Sequence, residues 1–128
     1  MSPTTSLQRA RQICAGLTLA LVFLLAILAG RFLFLGNLII ETHGYIGNGV
    51  FILALVNLGL ALADKADGGE LAVAGMIALL TFTQIGLGYV GRDTADAAAI
   101  HIPNGVLLMG LAGYQFATTR TAKALPVG

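Results

Sequence analysis

Two histidines hold most of the reactive chemistry this chain offers. His43 lies in "IIETHGYIGNGVF" (39–51) and His101 in "AIHIPNGVLLMGL" (99–111). Imidazole serves as a metal ligand and as a proton carrier near neutral pH. Each histidine stands where a long apolar run opens. Four residues on from each comes a glycine, Gly47 and Gly105, and eleven residues on an alanine, Ala54 and Ala112. These spacings return to one face of a helix. A glycine one turn below an imidazole lets a flat group approach the backbone. Two such faces turned toward each other can clamp a metal ion, or a metalloporphyrin such as haem b, with its iron held by His43 and His101. Val50 and Phe51, with Leu108 and Met109, would form apolar walls. Met109 lies two turns from His101 and reads as core rather than as a third ligand. Arg31 and Arg92 are candidate partners for the porphyrin propionates, because guanidinium binds carboxylates in a bidentate fork.

Composition says what must position these residues. Apolar residues make up 57% of the 128 and charged residues 10%. A soluble domain carries roughly a quarter charged residues. The expected class is therefore an integral membrane protein. Net charge is +1, which indicates no nucleic-acid partner. The single cysteine, Cys14, forms no internal disulfide and reads as a small apolar packing residue. Four segments reach the roughly 20 apolar residues of a membrane-crossing helix, at about 13–34, 43–63, 71–91 and 97–117. The runs are too long for strands and do not alternate. The expectation is all-α: a single-domain, integral membrane, four-helix up-down bundle. Arg9 and Arg11 ahead of "LAILAG" resemble a signal peptide, but the apolar run continues past it, and a retained first helix is expected.

The connections "GNLIIET" (36–42), "DKADGGE" (64–70) and "RDTADA" (92–97) are short, so successive helices are antiparallel neighbours. Asp93 or Thr94 is a candidate cap for the fourth helix, and Pro103 either starts that helix's regular part or kinks it. The tails "MSPTTSLQ" and "TAKALPVG" read as frayed. Arg9, Arg11, Lys65, Arg120 and Lys123 fall on one side, against Arg31 and Arg92 on the other. The positive-inside rule then puts both termini in the cytoplasm, with a bacterial inner or plasma membrane expected. Both histidines fall at the outer ends of helices two and four, which are diagonal in an up-down bundle. Bundle cores are a recurrent place for cofactors. The plain alternative sets the histidines in the headgroup zone, the arginines as interfacial anchors and the glycines as ordinary close-packing positions. "NGVFILAL" (48–55) resembles "NGVLLMGL" (104–111), but that alignment puts the histidines two residues out of step, so nothing rests on a repeat.

His43 preceded by Glu41, "TQIGLGYVGRD" closing helix three, and His101 opening helix four together resemble one four-helix half of haem A synthase. The resemblance spans essentially the whole chain through short motifs. It implies histidines on the second and fourth helices binding haem at the outer side, and it makes Glu41 the candidate catalytic carboxylate. The family commonly sets a glutamate three residues before the histidine with an arginine after it, whereas this chain reads Glu41-Thr42-His43-Gly44. The family also has two halves, and a homodimer would restore the count.

The favoured expectation is a membrane haem-binding protein, bis-His haem b between helices two and four, serving electron transfer or haem handling rather than catalysis. One alternative is a haem-modifying oxidase. The other is a cofactor-free structural or accessory subunit, with an interface through Gly86, Gly88 and Gly91 and with Thr81 and Gln84 bonding across helices. Expected partners are membrane lipid, haem, and a homodimer or a larger respiratory or haem-biosynthesis complex.

Overall fold

The computed structural model of the chain describes residues 5–36 and 39–121. Over those residues it is all-α, with α1 (Ser6–Leu35), α2 (Ile39–Ala63), α3 (Gly68–Val90) and α4 (Ala95–Thr121). Each helix packs on its neighbour in sequence and α1 also packs on α4. The up-down bundle is thus square, with α1 diagonal to α3 and α2 diagonal to α4. All four helices are long and apolar enough to cross a membrane.

Local chemistry sets the helix ends, and it moves several of them from their expected places. The α1 helix starts seven residues before the expected span. Thr5 and Gln8 form a reciprocal capping box there, with the Thr5 hydroxyl accepting from Gln8 N and the Gln8 side chain accepting from Thr5 N. Ser6, Leu7 and Gln8 are therefore helical, not frayed. Most of the expected C-terminal tail lies outside the described residues. Asp67 caps α3 by accepting from Glu70 N at 3.0 Å. The last three residues of "DKADGGE" thereby join the helix, and Lys65, at φ +51°, absorbs the reversal. Thr94 instead returns its hydroxyl to Val90 O at 3.1 Å, bonding the end of α3. Pro103 does not start α4, which runs through it from Ala95. Proline brings no N–H, so Ala99 O loses its usual partner in the helix.

The core combines a few branched side chains with many alanines. Val22, Val50, Ala54, Ile77, Ala78 and Leu108 form one buried cluster, and Ala15, Ala61, Ala74 and Ala112 are buried along the bundle axis. Lipid tails are as apolar as leucine, so such helices are held by close van der Waals packing and interhelical hydrogen bonds, which small residues permit. Phe23, Leu33, Ile52, Leu79, Phe82 and Val106 are exposed on the outside, where acyl chains would cover them. Phe51, expected as a pocket wall, stacks at a tilt on Phe82 with ring centroids 5.9 Å apart.

Buried positions repeat between the two hairpins. The offset of 58 that takes His43 to His101 also takes Val50 to Leu108, Ala54 to Ala112, Asn57 to Gln115 and Ala61 to Thr119, and these eight residues are all buried. On α1 and α3 an offset of 59 takes Ala15 to Ala74 and Thr18 to Ile77. Buried positions of α2 thus recur on α4, and two of those of α1 recur on α3, at offsets that differ by one. The "NGV" alignment uses a different offset and misses this.

Candidate functional site

The two histidines converge. His43 lies in the second turn of α2 and His101 in the second turn of α4, and their ring centroids are 6.1 Å apart with the planes at 53°. Both are half-buried. His43 Nδ1 lies 3.1 Å from Leu25 O on α1, and His101 Nδ1 lies 3.1 Å from Gln84 O on α3. A carbonyl oxygen only accepts, so each Nδ1 carries the proton and donates. Each Nε2 then keeps its lone pair. This is the usual preparation of an imidazole for a metal: the second nitrogen is fixed on a carbonyl, which sets tautomer and ring direction.

The surroundings fit the expectations in part. No atom outside its own helix and chain neighbours lies within 4 Å of where a Cβ on Gly47 would sit, so that position is clear as expected. Gly105 is different, because the Gln84 amide nitrogen lies 3.0 Å from its would-be Cβ. The glycine there accommodates a neighbouring side chain rather than open space. Ala54 and Ala112 are buried as the helical period implies, and Met109 packs on the core cluster. Arg92 leans across the rim. Its guanidinium carbon is 5.2 Å from the centroid of the Tyr89 ring, and its Nη2 is 3.5 Å from the would-be Cβ of Gly44, next to His43. Arg31 is exposed near the end of α1. Glu41 is exposed in the first turn of α2. Two residues along a helix are about 200° apart around its axis, so Glu41 leaves on a different face from His43.

Several residues that matter here were not assigned to the site from the sequence. Gln84 Nε2 donates to His101 O at 2.9 Å, so Gln84 and His101 bond each other in both directions. Asn104 Nδ2 donates to Gln84 Oε1 and, at 3.2 Å, to Leu80 O. The His101 ring rests on Gly88, its Cε1 3.1 Å from a would-be Cβ. Asn48 donates to the Tyr89 hydroxyl at 3.4 Å, tying α2 to α3 at the same end. Gln84 does bond across helices, while Thr81 bonds back to Ile77 O within α3. The available sequence signal was an amide in an apolar helix, which must find a partner.

A cavity of about 230 Å³ lies at the opposite end of the bundle, beside Arg11, Asp64 and Glu70. It is no part of the histidine site. No protein-family model, curated protein or solved structure matches the chain.

Proposed function

We propose that this chain is an integral membrane protein that holds one haem b between His43 and His101. The observation behind this is the pair of imidazoles from diagonal helices, 6.1 Å apart, each with its Nδ1 committed to a carbonyl. Two metal–nitrogen bonds of about 2 Å, the length seen for imidazole on zinc, plus two half-rings span roughly 6 Å. The 6.1 Å between the ring centroids is close to that span, so His43 and His101 would be the residues to hold the iron. A bare ion would want at least one more protein donor, and no group of three His, Cys, Asp or Glu suited to a metal occurs among the described residues. A porphyrin brings four in-plane nitrogens of its own and needs only two more.

Haem, when bound, supplies a one-electron iron couple whose potential follows axial ligation, hydrogen bonding and burial. The chain supplies the rest. Leu25 O and Gln84 O orient the imidazoles and strengthen them as donors. A Cβ on Gly47, one turn from His43, would meet no neighbouring atom within 4 Å. Arg92, already over Gly44, is the nearer candidate for a propionate, and Arg31 the second. With both imidazoles committed to the iron, the chain would leave no open position for oxygen, which favours electron transfer or haem handling. A haem-modifying oxidase draws less support, because Glu41 is exposed and on another face. The positive charges at Arg9, Lys65, Arg120 and Lys123 support cytoplasmic termini and place the histidines toward the outer leaflet.

The test is uptake of haem b by purified protein in detergent. One haem per chain is expected, with a sharp Soret band and resolved α and β bands on reduction. The spectrum should vanish in the His43→Ala, His101→Ala double variant. No uptake rejects the site and leaves a cofactor-free membrane subunit; an unchanged spectrum in that variant rejects the site by showing that the haem is held elsewhere.

A further inference from the structure

We infer that the end of the bundle opposite the histidines is a blind, water-filled inlet. It opens at the cavity beside Arg11, passes the Asn57–Gln115 pair and ends at a water held by Thr18. It stands whether or not the chain binds haem.

Thr18 is 1% exposed, and its hydroxyl is the one buried side-chain polar atom without a hydrogen-bond partner among the described residues. Thr81, Thr83 and Thr119 return their hydroxyls to the carbonyl four residues back, a bond open to any helical threonine. Thr18 does not make it. A hydroxyl buried without a partner costs free energy, and in a polar setting a buried water supplies the partner.

The setting of Thr18 is polar. Arg11, Ala15, Thr18 and Val22 form the buried stripe of α1. Gly16 faces the Phe116 ring and Gly113 faces Leu19. Between those two contacts, Thr18 lies within about one residue's rise, roughly 1.5 Å, of Gln115 along the axis. Asn57 Nδ2 donates to Gln115 Oε1 at 3.0 Å, which leaves the Asn57 oxygen and the Gln115 amino group to serve another molecule. With the Thr18 hydroxyl they supply enough partners for a buried water, which takes roughly two to four.

The way in is short. The cavity of about 230 Å³, ample for several waters, is lined by Arg11, Asp64, Glu70 and Thr119 among others. Thr119 donates to Gln115 O at 2.7 Å, so one helical turn separates the cavity from the amide pair. Beyond Thr18 the path meets Val22, Val50, Ile77 and Leu108, a buried cluster of branched apolar side chains. Polar side chains inside membrane bundles mark water-filled cavities and pathways. Here the apolar cluster closes one end, so the bundle admits water without forming a pore.

The experiment uses isotopically labelled full-length protein in detergent, with water as the probe. Magnetisation transfer from water should reach the side-chain amides of Asn57 and Gln115 and the Thr18 methyl, and should not reach the methyls of Val22, Val50 or Leu108. Thr18→Val keeps the shape and removes the hydroxyl, so it should lower the thermal midpoint by stripping a partner from the held water. A dry hydroxyl requires the opposite sign, because valine would then relieve an unpaired group. In a Cys14→Ala background, Thr119→Cys should react with a small charged methanethiosulfonate and Val22→Cys should not. An unchanged or raised midpoint, no transfer from water to Gln115, or an unreactive Thr119→Cys overturns the inference. Equal reaction of the two cysteines overturns the closed end. None of these readouts involves haem, so failure here leaves the histidine site to its own test.

Discussion

A single missing side chain controls how closely α3 approaches the second histidine. The His101 Cε1 sits 3.1 Å from where Gly88 would carry a Cβ. Gly88→Leu should therefore push the ring out of line and lower haem affinity roughly tenfold, within the range for outer-shell changes at metal sites. Gly75→Ala, where a Cβ meets nothing within 4 Å, should leave haem titration unchanged and serve as the control. Equal titrations for both variants would deny that Gly88 seats the ring. The histidines and Gly47 could be recognised from the sequence because a helical period brings i and i+4 onto one face. Gly88, Gln84 and Asn104 could not be placed beside His101 that way. The α3 helix is apolar nearly all round, so its period does not say which face meets α4. For the same reason Gly105 was expected to border open space, whereas the Gln84 amide occupies it.

Helix ends and buried pairs decide how the elements lock together. Arg11, 7% exposed, bonds Asp64 at 2.7 Å and Glu70 at 2.8 Å. This joins α1 to the end of α2 and the start of α3. Arg11 is one of the five cationic residues counted toward a cytoplasmic side, yet its charge is met internally. Its pairing was hidden in the sequence because the partners lie 53 and 59 residues away. Arg11→Met leaves two carboxylates sharing a half-buried site without their cation. A cost of about 3 kcal/mol is expected, near the low end for breaking a buried pair because Glu70 is partly exposed. Thermal unfolding in detergent measures it, and an unchanged midpoint would show that the cluster holds nothing together. Deeper in the bundle, Asn57 Nδ2 donates to Gln115 Oε1 at 3.0 Å from α2 to α4. A double-mutant cycle with Asn57→Leu and Gln115→Leu should give a coupling of about 0.6–1.7 kcal/mol, as for other hydrogen bonds between membrane helices. The existence and order of the four helices were readable from length and apolarity. Their ends were less so, because caps at Thr5 and Asp67 extend helices beyond the apolar runs.

At the scale of the whole molecule, two hairpins close a square whose diagonal helices bring His43 and His101 to the same depth. Short connections make that topology readable from the sequence. The matching of buried positions at an offset of 58 is not, because a similar-looking "NGV" stretch suggests a competing register. The sidedness argued from basic residues predicts that a cysteine at Lys65, in a Cys14→Ala background, reacts with impermeant maleimide only from the cytoplasmic face. Labelling from the outside would invert the orientation and move the histidines to the inner leaflet. The most direct measurement on the site itself is low-temperature electron paramagnetic resonance of the oxidised, haem-loaded protein. A low-spin ferric signal typical of two imidazole ligands is expected, giving way to a high-spin signal in His43→Ala. A wild-type spectrum that is high-spin, or one that His43→Ala leaves unaltered, would contradict ligation by this pair.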